Sequence, residues 1–88
     1  MPGTLTLRVL TESGLAMEDE ATSVIAPGVV GYLGVLHNHA PLVTPLVPGK
    51  LTWKRQDGSQ RTAKLGPGLL EILHNRLTIL VDSFSLNA

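Results

Sequence analysis

The sequence predicts an all-β domain, a sandwich or a barrel built from several short strands. Three observations carry this. Apolar and polar residues alternate at period two along much of the chain, as in Leu5, Leu7 and Val9 against Thr4, Thr6 and Arg8. Turn-forming residues interrupt that alternation roughly every 8–12 residues. Outside one ambiguous segment, no window supports a helix of ten or more residues. A length of 88 residues gives one domain, spanning 1–88. At this size folding buries roughly 60–65% of the unfolded chain's surface, enough for a modest core.

The first strand ends at Glu12-Ser13-Gly14, a turn. Glu18-Asp19-Glu20 reads as a second, solvated turn. The ambiguous segment follows. Met17, Ala21, Val24 and Ile25 fall at helical spacing, whereas Thr22, Val24 and Ala26 alternate as a strand does. The β-branched Thr22, Val24 and Ile25, and the closing Pro27-Gly28, favour strand. Gly28, Gly31 and Gly34 match neither a dinucleotide fingerprint nor a phosphate loop, so they are expected to serve turns at positive φ.

From His37 to Gly49 the chain carries Pro41, Pro45 and Pro48, each of which removes a ladder donor and bars a long central strand. The same stretch is apolar at Leu42, Val43, Leu46 and Val47, which points to a sheet edge or to a surface that a partner covers. Leu51 and Trp53 then alternate with Thr52 and Lys54. Asp57-Gly58 signals a hairpin, with both residues expected at positive φ. The return strand, Arg61 to Leu65, puts Ala63 and Leu65 on one face before Gly66-Pro67-Gly68 breaks it. Leu70 and Ile72 begin another strand with Glu71 on its solvent side. His74-Asn75-Arg76 turns the chain, and Leu77, Ile79 and Val81 complete the pair.

Charge narrows the function classes. Seven basic and seven acidic residues cancel, and only 16% of the chain is charged, against about 25% in an average soluble domain. No basic stripe is available for phosphate neutralisation, so nucleic acid is not an expected partner. Sparse surface charge at zero net charge favours association, so the chain reads as a subunit. There are no cysteines, hence no disulfide framework or thiolate metal site. The opening Met1-Pro2-Gly3-Thr4 shows no signal peptide, and no apolar run is long enough to insert in a membrane.

Signals for catalysis are weak. His37 and His39 would share a strand face and, with His74 or Asp82, could hold zinc. A site needs three or four convergent ligands, and a loop histidine more often packs or hydrogen-bonds. Glu71 and Asp82 make a poor acid–base pair because Glu71 faces solvent. A small-ligand sandwich needs an aromatic platform, which Tyr32, Trp53 and Phe84 alone hardly supply. No catalytic residue, metal or cofactor is assigned.

Ala26-Pro27-Gly28-Val29-Val30-Gly31-Tyr32-Leu33-Gly34-Val35-Leu36-His37-Asn38-His39-Ala40-Pro41-Leu42-Val43-Thr44 resembles the most recognisable stretch of the epsilon subunit of F-type ATP synthases. Leu46-x-Pro48-Gly49, Gly68-x-Leu70-Glu71 and Asn75-x-Leu77-Thr78-Ile79-Leu80-Val81-Asp82 are similar to it as well, and the matches are collinear. The resemblance implies a flattened antiparallel β-sandwich of about ten short strands, a non-catalytic rotor subunit of the central stalk. Its implied partners are the gamma subunit, met by His39, Ala40, Pro41, Leu42 and Thr44, and the c-ring, faced by the loop Gly28, Val29, Val30, Gly31 and Tyr32. The implied location is peripheral, at the cytoplasmic or equivalent organellar membrane face.

Two departures from the family pattern stand out. The family's Pro-Gly-His is here His37-Asn38-His39, with Asn38 a suitable stand-in for glycine in the left-handed region. The ring-facing loop offers Val29, Val30 and Tyr32 where relatives often carry an acid. The helical hairpin that most relatives carry beyond the sandwich has no counterpart before Ala88, so little or no hairpin-type inhibition and no nucleotide site are expected.

Overall fold

Alternation along each strand sorts side chains onto an inner and an outer face, and the sheet then folds so that the inner face meets itself. The computed structural model describes residues 3–86; Met1-Pro2 and Asn87-Ala88, on which the readings of the two chain ends partly rest, lie outside the described residues. Ten strands follow one another: β1 (Leu5–Thr11), β2 (Gly14–Ala21), β3 (Ser23–Gly28), β4 (Gly31–Leu36), β5 (Leu42–Leu46), β6 (Gly49–Lys54), β7 (Gln60–Leu65), β8 (Gly68–Leu73), β9 (Arg76–Val81) and β10 (Phe84–Leu86). The all-β class holds.

The simple flattened sandwich does not. All ten strands belong to one hydrogen-bonded sheet in the order β10-β7-β6-β3-β5-β8-β9-β1-β2, with β4 on β3. The sheet curls into a nearly closed barrel with extents of 35 × 29 × 24 Å. The join between its halves is narrow. Ser23 to Ile25 pair with β6, whereas β5 meets β3 at the single pair Gly28–Leu46. Nor is the sheet wholly antiparallel, because β1 runs parallel to β9.

Among the described residues seventeen apolar side chains form the enclosed core, and no polar or charged residue is buried with them. Leu5, Leu7 and Val9 line one wall; Leu51, Trp53, Ala63 and Leu65 line the opposite one. At about 25 cal/mol per Å² of apolar surface removed from water, this layer is the main favourable contribution to folding.

Glu18-Asp19-Glu20 is not a turn but the middle of β2, paired with Arg8, Leu7 and Thr6 of β1. Period two points Glu18 and Glu20 outward and turns Asp19 toward the other half of the sheet. There its carboxylate accepts from Trp53 Nε1–H at 2.9 Å and lies 3.2 Å from Arg55 Nε. Three consecutive acids resemble a solvated run in sequence because the partners that draw Asp19 inward, Trp53 and Arg55, lie more than thirty residues away.

Two turn readings need correction. In the β6–β7 hairpin Gly58 alone has positive φ, at 89°. The five-residue loop is held by Gly58 N–H to the Arg55 carbonyl and by Arg55 N–H to the Ser59 carbonyl. Asp57 accepts from both the N–H and the hydroxyl of Ser59, which hold its carboxyl below its ordinary pKa. Two successive positive φ angles occur instead at His74 (50°) and Asn75 (61°), the two-residue turn between β8 and β9. Of the three spaced glycines only Gly31 has positive φ (134°). Gly28 is required by close approach: a Cβ there would lie 2.7 Å from Leu33 Cδ2 and 2.8 Å from the Gly31 carbonyl.

Asp19→Ala is expected to destabilise the domain by about 1–3 kcal/mol, because it leaves the Trp53 N–H buried without its acceptor. Asp19→Asn should lose less, since an amide oxygen still accepts. Urea denaturation followed by Trp53 fluorescence measures both; equal losses would mean that the hydrogen bond contributes little.

Candidate functional site

Strand β4 carries the chain from one end of the barrel to the other, so the segments flanking it lie at opposite ends. At one end the β3–β4 hairpin projects Val29 and Val30, which are 58% and 104% exposed, with exposed Gly31 and Tyr32 beside them. Gly28, assigned to the same loop from the sequence, is buried and sets the turn without presenting a surface. Tyr32 anchors the tip, its hydroxyl oxygen accepting from Lys50 N–H at 3.1 Å.

At the other end β4 stops at Leu36, whose carbonyl accepts from His39 N–H at 3.1 Å. Asn38, between them, has φ of 68°, the left-handed geometry expected of it. Its N–H donates to Asn75 Oδ1 at 2.6 Å, and Asn75 Nδ2 donates back to Asn38 Oδ1 at 3.2 Å. Two asparagines in left-handed backbone thus tie the segment after β4 to the β8–β9 turn. Sequence reading singled out Asn38 but not this pairing, since Asn75 is 37 positions away.

From that clamp the chain enters β5. His39 is half-buried, its Nδ1 2.6 Å from the Ala40 carbonyl, to which the protonated nitrogen donates. Ala40 and Pro41 are exposed. Leu42 and Thr44 are half-buried, and Leu42 packs against the core. Leu46 is fully core, while Val43 and Val47 are 60% and 37% exposed. The proline-rich stretch is therefore divided, with Leu46 inside and Val43, Pro45, Val47 and Pro48 outside.

The registers reveal a surface that sequence reading missed. Pro45 pairs with Leu69, Leu69 with Leu80, Leu80 with Leu10 and Leu10 with Leu15. These residues form one apolar row across the outer face of five adjacent strands. Leu15, Leu80 and Leu69 are 52%, 49% and 39% exposed. A trace of it was readable in doublets such as Val9-Leu10, Leu69-Leu70 and Ile79-Leu80, where an outward position is apolar and alternation fails. Only the register shows that these breaks are neighbours.

Among the described residues, no three histidines or carboxylates come together to hold a metal ion. The surface depressions are open: one of about 580 Å³ beside Lys50 and Lys64, another of about 510 Å³ beside Arg8, Glu71 and Arg76. Glu71 stands on the outer face of β8.

Residues 4–87 match the family model of the ATP synthase delta/epsilon chain β-sandwich domain. The chain is 42% identical over 79 residues to the ATP synthase epsilon chain of Moorella thermoacetica, covering 90% of this chain and 59% of that protein. It is 40% identical over 83 residues to the epsilon chain of Desulfosudis oleivorans, covering 94% and 62%. The chain thus spans about three fifths of the length of these relatives. Among solved structures, a chain of the Euglena gracilis mitochondrial ATP synthase (OSCP, F1 and c-ring) superposes with a TM-score of 0.89 at 17% identity, covering 98% of this chain and 55% of that one. A chain from the central stalk and c-ring of the Tetrahymena thermophila mitochondrial enzyme gives 0.73 at 14% identity, covering 91% and 64%. At these identities the likeness is one of fold.

Asn75→Gly keeps the left-handed backbone accessible but removes the acceptor of Asn38 N–H. Exchange of the Asn38 amide is expected to rise about tenfold or more, the loss of roughly one hydrogen bond, while core amides such as Leu77 stay protected. Asn75→Ala should also lower stability by about 1–2 kcal/mol, because alanine is strained at φ near 61°. Amide exchange by NMR and urea melts read the two effects separately.

Proposed function

The chain belongs to the ATP synthase delta/epsilon β-sandwich family, and from that premise we propose that it is a non-catalytic stalk subunit of an F-type ATP synthase. In this reading the domain is a rotor coupler that joins a gamma subunit to the c-ring, while nucleotide chemistry occurs on other subunits. The observation that carries it is the placement of two exposed surfaces at opposite ends of β4 within the family's own fold. The hairpin tip of Val29, Val30, Gly31 and Tyr32 would meet the polar loops of the ring. Ala40, Pro41 and the outer side of β5 would meet gamma, with His39, Leu42 and Thr44 shaping that contact from half-buried positions.

The leucine row extends the gamma-facing surface from Pro45 across the same sheet. A stable contact needs about 800 Å² from each partner, more than one loop supplies, and the row provides contiguous apolar area. Torque transmission also suits a nearly closed sheet packed around its own core, because such interiors deform little. Among the described residues no helix is long and apolar enough to cross a membrane, which accords with a peripheral position at the cytoplasmic or equivalent organellar membrane face. A free-standing ligand-binding module is the alternative, and the open depressions give it little support.

Co-purification with a cognate gamma subunit and c-ring tests the assignment. Thr44→Arg and His39→Glu are expected to weaken gamma binding about tenfold or more while the isolated domain stays folded. If the isolated domain is destabilised to the same degree, those residues are structural and not contacts. At the ring end, binding should change little between low and moderate salt, because apolar burial is not screened. A steep loss of ring association over that range would count against the apolar contact.

A further inference from the structure

The strand edges left unpaired among the described residues are guarded, with one exception. The β2 edge carries Glu18, Asp19 and Glu20, and a register shift interrupts its pairing with β1. β10 is three residues long. β5 meets β3 at one position only, and its open side is flanked by Pro41 and interrupted by Pro45. These are the usual devices against unwanted strand pairing. β4 has none of them. Its sequence, Gly-Tyr-Leu-Gly-Val-Leu, contains no charge and no proline, and its pairing with β3 is unbroken from Gly28–Gly31 to Ser23–Leu36.

The phase of that pairing identifies the groups that face outward. The Pro27 carbonyl points away from β4 and accepts from Val47 N–H at 2.9 Å. Tyr32, opposite Pro27, is therefore in a non-hydrogen-bonded pair, and alternation puts Gly34 and Leu36 in the same class. The main-chain groups of these three residues face the open edge, where the Leu36 carbonyl is taken by His39 N–H. Their side-chain positions lie on the outer face. Tyr32 and Leu36 are 60% and 61% exposed and flank Gly34, with Ile25, paired to Gly34 and 46% exposed, behind it. A Cβ added at Gly34 would meet nothing within 4 Å, so the glycine leaves an open apolar notch of about one side chain.

We infer that the β4 edge is a strand-addition site, which an extended, uncharged segment of the gamma subunit occupies with an apolar side chain seated over Gly34. This rests on the stalk reading above and names how that partner is held. Main-chain pairing would supply affinity, and the notch between Tyr32 and Leu36 would supply register. The strand spans about 20 Å between the hairpin tip and the His39–Pro41 segment, so a partner lying along it is continuous with the contacts proposed at both ends. A second copy of this chain fits less well. Two β4 strands paired about a dyad would engage six residues a side, against the roughly 20–30 of a stable interface.

The test is amide hydrogen exchange on the domain alone and in complex with its cognate gamma subunit, together with the variant Gly34→Lys. Lysine adds an edge charge where the fold has room for it. The amides of Tyr32, Gly34 and Leu36 are expected to slow about tenfold or more in the complex, while Leu33 and Val35, already paired to β3, change little. Gly34→Lys should weaken gamma binding about tenfold and leave the urea midpoint of the isolated domain near wild type. Gamma binding with unprotected β4 amides and a neutral Gly34→Lys overturns the edge proposal while the stalk reading stands. Failure of the wild-type domain to bind gamma overturns the stalk reading and this proposal with it. Protection that grows with the concentration of the domain alone overturns gamma as the occupant in favour of a second copy.

Discussion

One constraint organises the molecule: its seventeen core side chains must be enclosed by a single sheet, with no helix among the described residues to cover them. A sheet can cover its own inner face only by folding back, and the fold is made where β3 leaves β6 and touches β5 at Gly28–Leu46. Gly28 sits in a space too small for a side chain, and Pro27 is fully buried next to it. A proline has no N–H, so Pro27 makes no demand for an acceptor in the core, and its carbonyl holds Val47 across the bend. The proline-rich connection that follows is a consequence of this bend: the chain must leave one half of the sheet and start the other without a continuous ladder.

Enclosure explains why so little polar chemistry is present. Among the described residues no ionisable group is buried among apolar walls, and the half-buried carboxylate, Asp19, is occupied by Trp53 and Arg55. An active site ordinarily needs titratable groups held in a partly desolvated cleft. Here the polar residues are spread over an outer surface or engaged in holding turns, as with Asp57 and Ser59 or Asn38 and Asn75. What the domain offers is surface of a particular kind: a hydrophobic hairpin tip, a leucine row and an uncharged strand edge. Each would favour association in water if left bare. Their coexistence in a chain with zero net charge is the physical reason to regard the domain as a part of something larger.

Elements were legible in proportion to how local their signals are. Alternation at Leu5-Leu7-Val9 and Leu77-Ile79-Val81 predicted their burial, because period two is a property of one strand. The hairpins at Asp57-Gly58 and His74-Asn75 both lie where the sequence predicts turns, but the pair of positive φ angles expected at the first occurs at the second. Asp-Gly promised two positive φ angles, yet the five-residue loop satisfies itself with Gly58 alone. The Glu18-Asp19-Glu20 strand was read as a turn because charge suggests solvent, whereas at a sheet edge alternating charges face outward while the residue between them turns in.

The sequence by itself determined the strand class, the inner faces of β1, β3, β6, β7, β8 and β9, most of the turns and the family pattern, since each is carried by residues within a few positions of one another. Only the tertiary structure decided that the sheet is continuous and nearly closed, that β1 and β9 are parallel, that Asn38 meets Asn75, and that Leu10, Leu15, Leu69 and Leu80 form one surface. These depend on pairing order and register between strands as much as seventy positions apart. Alternation states which way a side chain points but is silent about which strand lies beside it.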